Sequence, residues 1–245
     1  MTQYVRQMSP WELLRSAMEL YQKNFRVLFL IILIPHIPLD LFLGPFASGT
    51  IGRAIYFILT LFVGFFVCAT TAIAISDACT GNIPSVERSY RYVFTELPLN
   101  TMLVFFAQVF VIVAGFLLLV IPGLVFGAWY MFAQIVVVLE RIEPIAAMKR
   151  SRFLGKGFYI RNLSLAAVAT FLMLIGELLI VVVGSIAIFL FKLQHAQGFV
   201  NGVVALLATA LFTPYLLTLS ILMYYDLRAR REGYDSTALT EDLER

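Results

Sequence analysis

Six continuous apolar runs, at residues 27–46, 54–76, 101–121, 123–139, 163–190 and 202–223, decide the class of this chain before any motif is considered. A helix needs roughly 17 to 25 such residues to cross the hydrocarbon core of a bilayer, which is about 30 Å thick. The fourth run is the shortest of the six. Continuous apolarity also argues against a membrane barrel, whose strands alternate lipid-facing and lumen-facing residues. With 61% hydrophobic residues and a mean hydropathy of +0.90, a water-soluble domain would carry far too much apolar surface. The expected fold is therefore all-α and polytopic, one six-helix transmembrane domain over residues 1–245. The first run reads as a retained span rather than a cleaved signal. It is followed by the small residues Ala47-Ser48-Gly49, but it is too long and is preceded by an amphipathic segment.

Charge sorting orients the spans. Even-numbered crossing puts both termini on one side, and 16 of the 18 Lys/Arg fall on that side, leaving Arg53 and Lys192 opposite. By the bias of Lys/Arg towards the cytoplasm, both termini are expected to be cytoplasmic. The densest basic stretch, MKRSRFLGKGFYIR at 148–161, contains Lys149, Arg150, Arg152 and Lys156. Basic residues beside Phe153, Phe158 and Tyr159 could also hold nucleic acid. A net charge of only +3 and the position next to a span favour a topogenic signal instead, with attraction to anionic lipid headgroups. No nucleic-acid partner is expected.

Each segment that precedes a hairpin on the basic side has the same character. Ser9-Pro10-Trp11-Glu12 reads as a capping box with proline in the first turn. Trp11, Leu14, Met18, Tyr21 and Phe25 then form an apolar stripe at helical spacing. A second segment starts at Pro84, with Val86, Tyr90, Val93 and Leu97 on one face, and a third starts at Pro144. The Arg-Ser pairs at 15–16, 88–89 and 150–151, and the matched Lys23-Asn24-Phe25 and Lys156-Gly157-Phe158, point to three copies of one unit. That unit is an amphipathic elbow (about 10–24, 84–97 and 144–157) followed by a transmembrane hairpin, with a tail over about 226–245. Topology alone also makes short basic elbows look alike. Between the third and fourth spans, Val120-Ile121-Pro122-Gly123-Leu124 carries no charge, and Pro-Gly is expected to reverse the chain there.

Ile121-Pro122-Gly123, Val136-Val137-Val138-Leu139-Glu140, Ala146-Ala147-Met148-Lys149-Arg150-Ser151, Gly155-Lys156-Gly157-Phe158 and the run Tyr224 to Asp235 together resemble a bacterial family. It is the six-span membrane domain named after the glycerophosphoryl diester phosphodiesterases to which it is sometimes fused, with its stand-alone inner-membrane relatives. The resemblance covers residues 5–236, implies a bacterial inner-membrane location, and brings no catalytic residue with it. The phosphodiesterase barrel itself is absent from this sequence. The resemblance also implies that the elbow at Asp226 and Arg228 docks on the segment from Glu140 to Lys156, with Asp226 opposite Arg150.

Polar residues inside the spans are the remaining handles. Glu177 lies near the middle of the fifth span, where an ionisable group costs about 2.5 kcal/mol or more and is expected to face helices or a wet cavity. Gln108, Gln134 and Thr213 are its candidate partners. The site is read either as a proton or substrate pathway or as a packing polar group. His36 and Asp40 flank Pro38 and are expected near Arg53, with Asp40 and Arg53 as a pair or as ordinary span-end polarity. Pro214 is expected to kink the sixth span. Phe62, Phe65, Phe66, Phe105 and Phe106 are read as lipid and helix packing rather than a pigment or quinone site. Cys68 and Cys79, with His36 and His195, make no metal-ligand spacing, and no nucleophile elbow or phosphate-binding loop is found. No cofactor and no metal are expected.

The leading functional expectation is a non-catalytic accessory or structural subunit of a membrane complex, with a membrane-protein partner or a second copy. A small transporter or lipid-handling permease around Glu177 is the alternative. A membrane enzyme finds no supporting residue pattern.

Overall fold

The computed structural model describes residues 4–44, 47, 49–97, 102–192, 195 and 197–244. The expected span ends at 45–46 and 101, the Ser48 of the small-residue triplet and Arg245 lie outside them. The described residues form helices and no strand. These are α1 (Pro10–Lys23), α2 (Phe25–His36) with a π-helical continuation (Ile37–Leu43), α3 (Gly49–Thr80), α4 (Val86–Glu96), α5 (Met102–Leu118) and α6 (Val120–Tyr130). They continue as α7 (Ala133–Glu140), α8 (Pro144–Gly155), α9 (Tyr159–Leu190), α10 (Gln197–Glu232) and α11 (Ser236–Glu244). Among the described residues five segments are long and apolar enough to cross a membrane: α2 with its continuation, α3, α6 joined to α7, α9 and α10. The sixth, α5, has 17 residues, about 25 Å at 1.5 Å per residue. Elbows α1, α4 and α8 precede the three pairs, so the chain is an all-α polytopic membrane protein built in three rounds.

The caps explain where the elbows begin. Ser9 accepts from the Glu12 N–H at 3.3 Å while Glu12 accepts from the Ser9 N–H at 2.7 Å, the reciprocal capping box. The Ser9 N–H, aided by the Ser9 hydroxyl and Arg6, pulls the Glu12 carboxyl down to about 2. A lowered carboxylate stabilises above its ordinary range and loses that contribution as pH falls through the folded value, so this cap fails only in strong acid. Ser85 caps α4 through the Arg88 N–H. Replacing Ser9 by Ala is expected to cost about 1 kcal/mol, seen as a lower thermal midpoint in detergent.

Burial divides the bundle into two zones. On the side of the termini α3 is almost continuously buried from Val67 to Cys79, α7 from Ala133 to Val138 and α10 from Thr218 to Leu227. Small residues Ala69, Ala72 and Ala74 let α3 approach its neighbours closely. Away from the termini, α5, α6 and α9 expose Leu103, Phe110, Leu117, Leu124, Phe171, Leu179 and Val183, as lipid-facing residues do. At 32, 32 and 36 residues, α3, α9 and α10 are about 48 to 54 Å long and exceed the about 30 Å slab. The elbows pack beside them. Tyr21 donates to the Leu211 carbonyl of α10 at 2.8 Å, and Tyr90 of α4 to the Ile31 carbonyl of α2 at 2.5 Å.

Local expectations change at several points. The chain reverses at Leu119, which is extended at φ −165° and ψ 155°, and Pro122-Gly123 instead lie inside the first turns of α6. Gly115 and Gly123 are needed for the close approach of the hairpin arms: a Cβ on Gly115 would meet the Gly123 Cα at 3.0 Å. The short fourth span is two helices, because Met131 and Phe132 break it, and the freed Phe132 N–H donates to Ser151 of α8 at 3.2 Å. In α1 the predicted stripe is divided: Met18 and Phe25 are exposed, while Leu14 and Tyr21 pack part-buried against the bundle. Trp11 is 74% exposed, whereas Leu13, Ala17 and Leu20 face the bundle. The helix α10 continues through Pro214, where the kink is expected, with Thr218 donating to the Pro214 carbonyl at 2.7 Å. The Lys-x-Phe junctions also differ: Asn24 has φ −112°, while Gly157 sits at φ +83°, a left-handed turn that favours glycine.

Near the opposite end of α2, Pro35 and Pro38 each remove a donor, and the chain widens into the π-helical continuation. Asp40 there is buried and accepts from Tyr56 at 2.8 Å. The expected partner Arg53 instead donates to the Gly49 carbonyl at 3.2 Å. His36 holds the Ile32 carbonyl at 2.8 Å.

Candidate functional site at the face of the termini

The end of α10 carries Tyr224, Tyr225, Asp226, Arg228, Arg230, Arg231 and Glu232, and it organises the polar chemistry of this face. Tyr224, Tyr225 and Asp226 are completely buried. Buried polar groups need partners, and each of these has one from a different element. Asp226 accepts from the Met8 N–H at 2.7 Å and from Arg230 at 3.0 Å, and it pairs with Arg161 of α9. Tyr225 shares a 2.6 Å bond with Ser76 of α3. Tyr224 donates to Glu140 at 2.9 Å.

Glu140 continues the network into α8. Arg150 donates to Glu140 at 2.9 Å and to Glu232 at 2.8 Å, and Arg228 donates to Glu232 at 3.2 Å. Burial works against the Arg150 charge, but the Glu232 and Glu140 carboxylates hold its guanidinium above the ordinary range. Aromatic faces take up the remaining cationic surface. Phe158 lies under Arg161, Arg230 and Arg231, at 5.3, 5.5 and 5.9 Å from ring centre to guanidinium carbon. Arg228 sits 3.4 Å over Tyr234, and Arg231 donates to the Lys156 carbonyl.

The expected docking of the α10 elbow on the segment from Glu140 to Lys156 is therefore present as contacts, but its pairing differs. Asp226 meets Arg161 and Arg230, and Arg150 meets Glu140 and Glu232. Reversing Asp226 and Arg150 together is thus not expected to restore a pair. Lys149, Arg152 and Lys156, from the same basic stretch, have no carboxylate partner among the described residues and are exposed. Asp77 and Arg88, 3.6 Å apart, and Ser76 with Tyr225 join the site without having been signalled by spacing, since they meet only through the fold.

The intramembrane candidates do not converge. Gln134 is spent on the Phe65 carbonyl at 3.1 Å. The Gln108 carbonyl oxygen is buried without a hydrogen bond. Glu177 is half-buried at the edge of the α9 face that meets α10, and no hydrogen bond joins it to Gln108, Gln134 or Thr213 among the described residues. A cleft of about 400 Å³ between α9 and α10 opens one turn further, at Val181, with Ser185, Gln197 and Asn201 as its polar walls. No group of three or more His, Cys, Asp or Glu that could hold a metal occurs among the described residues. Comparison with known proteins gives no assignment: no family model, curated protein or solved structure matches the chain.

Proposed function

We propose that this chain is a non-catalytic accessory or structural subunit of a bacterial inner-membrane complex, with both termini in the cytoplasm. The observation that carries this reading is the bareness of α9. Only 6% of its most apolar window is buried, against 50% for α3, yet it carries Glu177 near its middle. Lipid is a poor neighbour for a carboxyl group, and a facing helix from a partner or a second copy would supply a donor. The charged residues at the end of α10 support the same reading, because they are consumed in joining helices and leave no reactive group poised in a cleft. The resemblance to the six-span membrane domain rests on its motifs and brings no activity with it. Placing a photo-crosslinker at Leu174, three residues before Glu177 on the same side of α9 and 54% exposed, is expected to capture one defined protein or a second copy in membranes. Capture of lipid alone would reject the subunit reading.

A second reading is favoured by the polar-walled cleft beyond Glu177. A permease using it would show flux in liposomes that Glu177→Gln reduces by about tenfold or more, as expected for an essential intramembrane acid. Unchanged flux in that variant would remove the carboxyl from the pathway.

A further inference from the structure

The basic stretch of α8 separates into two populations, and the separation carries an assignment. Arg150 turns inward to Glu140 and Glu232. Lys149 and Arg152, three apart, share a side of α8 turned away from Arg150, and Lys156 follows as the residue that ends the helix. Together with Trp129, Phe153 and Tyr159 they line a pocket of about 420 Å³. No carboxylate pairs with any of the three cations among the described residues. Three like charges around one pocket repel one another unless an anion sits among them.

The aromatic walls make the grip directional. The Arg152 guanidinium lies 3.8 Å above the Trp129 ring, so its face is occupied and its N–H edges stay free for a forked contact with a phosphate. Tyr159 fixes the same turn by donating to the Arg152 carbonyl at 2.9 Å. Beside the cations, Ile145, Phe153 and Ile160 are exposed at 70%, 52% and 86%. An apolar fringe around a cationic pocket matches a molecule with an anionic head and acyl tails.

We propose that this pocket binds the phosphate of an anionic phospholipid, one lipid per chain, through Lys149, Arg152 and Lys156. The assignment goes beyond the subunit reading and needs only membrane placement, so either can fail alone. The test is native mass spectrometry of the full chain in detergent, titrated with dioleoyl phosphatidylglycerol, dioleoyl phosphatidylcholine or inorganic phosphate. The anionic lipid is expected to be retained at about tenfold lower concentration than the zwitterionic one. Lys149→Gln, Arg152→Gln and Lys156→Gln combined should abolish that preference while leaving the thermal midpoint near the parent's. Arg152→Lys should lose about threefold, because it keeps the charge without the fork. Equal retention of both lipids, a preference that survives the triple variant, or unchanged binding in Arg152→Lys would overturn the proposal. Displacement of the lipid by an equal concentration of inorganic phosphate would overturn the lipid assignment and mark the pocket as a soluble-anion site.

Discussion

Replacing Asp226 by Ala is expected to cost about 3 to 5 kcal/mol, the loss typical of removing one partner from a buried ion pair. The carboxylate is fully buried, and three groups depend on it: the Met8 N–H, Arg161 and Arg230. Without it, Arg161 keeps the Phe158 face beside it, and the N-terminal segment is held to α10 by a bond from Arg230 to the Met8 carbonyl at 2.6 Å. The measurement is the thermal midpoint of the full chain in mild detergent, together with protease sensitivity of residues 4–9. Asp226→Asn separates charge from shape. It keeps an acceptor for Met8 but loses the charge that holds the two guanidinium groups, so an intermediate loss is expected. A variant as stable as the parent would show that the bonds to Asp226 contribute nothing to holding the face together.

The second large effect is expected at Arg150. Arg150→Glu places three carboxylates together and leaves Arg228 alone to serve Glu140 and Glu232, which now share two guanidinium groups. Arg150 and its partners are partly exposed, so water screens the repulsion. The cost is expected at about 2 to 3 kcal/mol, below that of a fully buried pair. Glu232→Arg added to Arg150→Glu should recover about half of that loss, since it rebuilds one of the two contacts. Asp226→Arg added to Arg150→Glu should recover none, because Asp226 answers to Arg161 and Arg230 instead. Chemical or thermal unfolding of the four proteins in one detergent decides the pairing, and rescue by Asp226→Arg would sink the arrangement described here.

Most of the architecture is legible in the sequence because lipid acts on runs of residues. The six runs find their helices at Phe25–Leu43, Gly49–Thr80, Met102–Leu118, Val120–Glu140, Tyr159–Leu190 and Gln197–Glu232. The first two elbows begin behind their Ser9 and Ser85 caps, at Pro10 and at Val86, two residues past Pro84, and the third begins at Pro144 without a side-chain cap. What the sequence does not carry is partner identity. Asp226 and Met8 are 218 residues apart, and Tyr225 and Ser76 are 149 apart, so no spacing rule joins them. Arg150 and Arg152 look alike on paper, yet one is sunk between two carboxylates and the other lies on a Trp ring. The reversal at Leu119 escaped for a related reason. Pro-Gly signals a turn in water, but here the glycine serves the crossing of α5 and α6. Glu177 stands out as the one acid in its apolar run, but its half-buried position on a bare helix cannot be read from that run.

The bond between Met8 and Asp226 has a consequence for biosynthesis. A ribosome delivers Met8 early and Asp226 more than two hundred residues later, so the earliest segment must wait for the last span before it can dock. Throughout translation, α1 would drift at the membrane surface with Leu13, Ala17 and Leu20 uncovered. Nascent chains arrested before Tyr224 should therefore remain accessible to insertases and quality-control proteases, and release of α10 would act as the closing stitch.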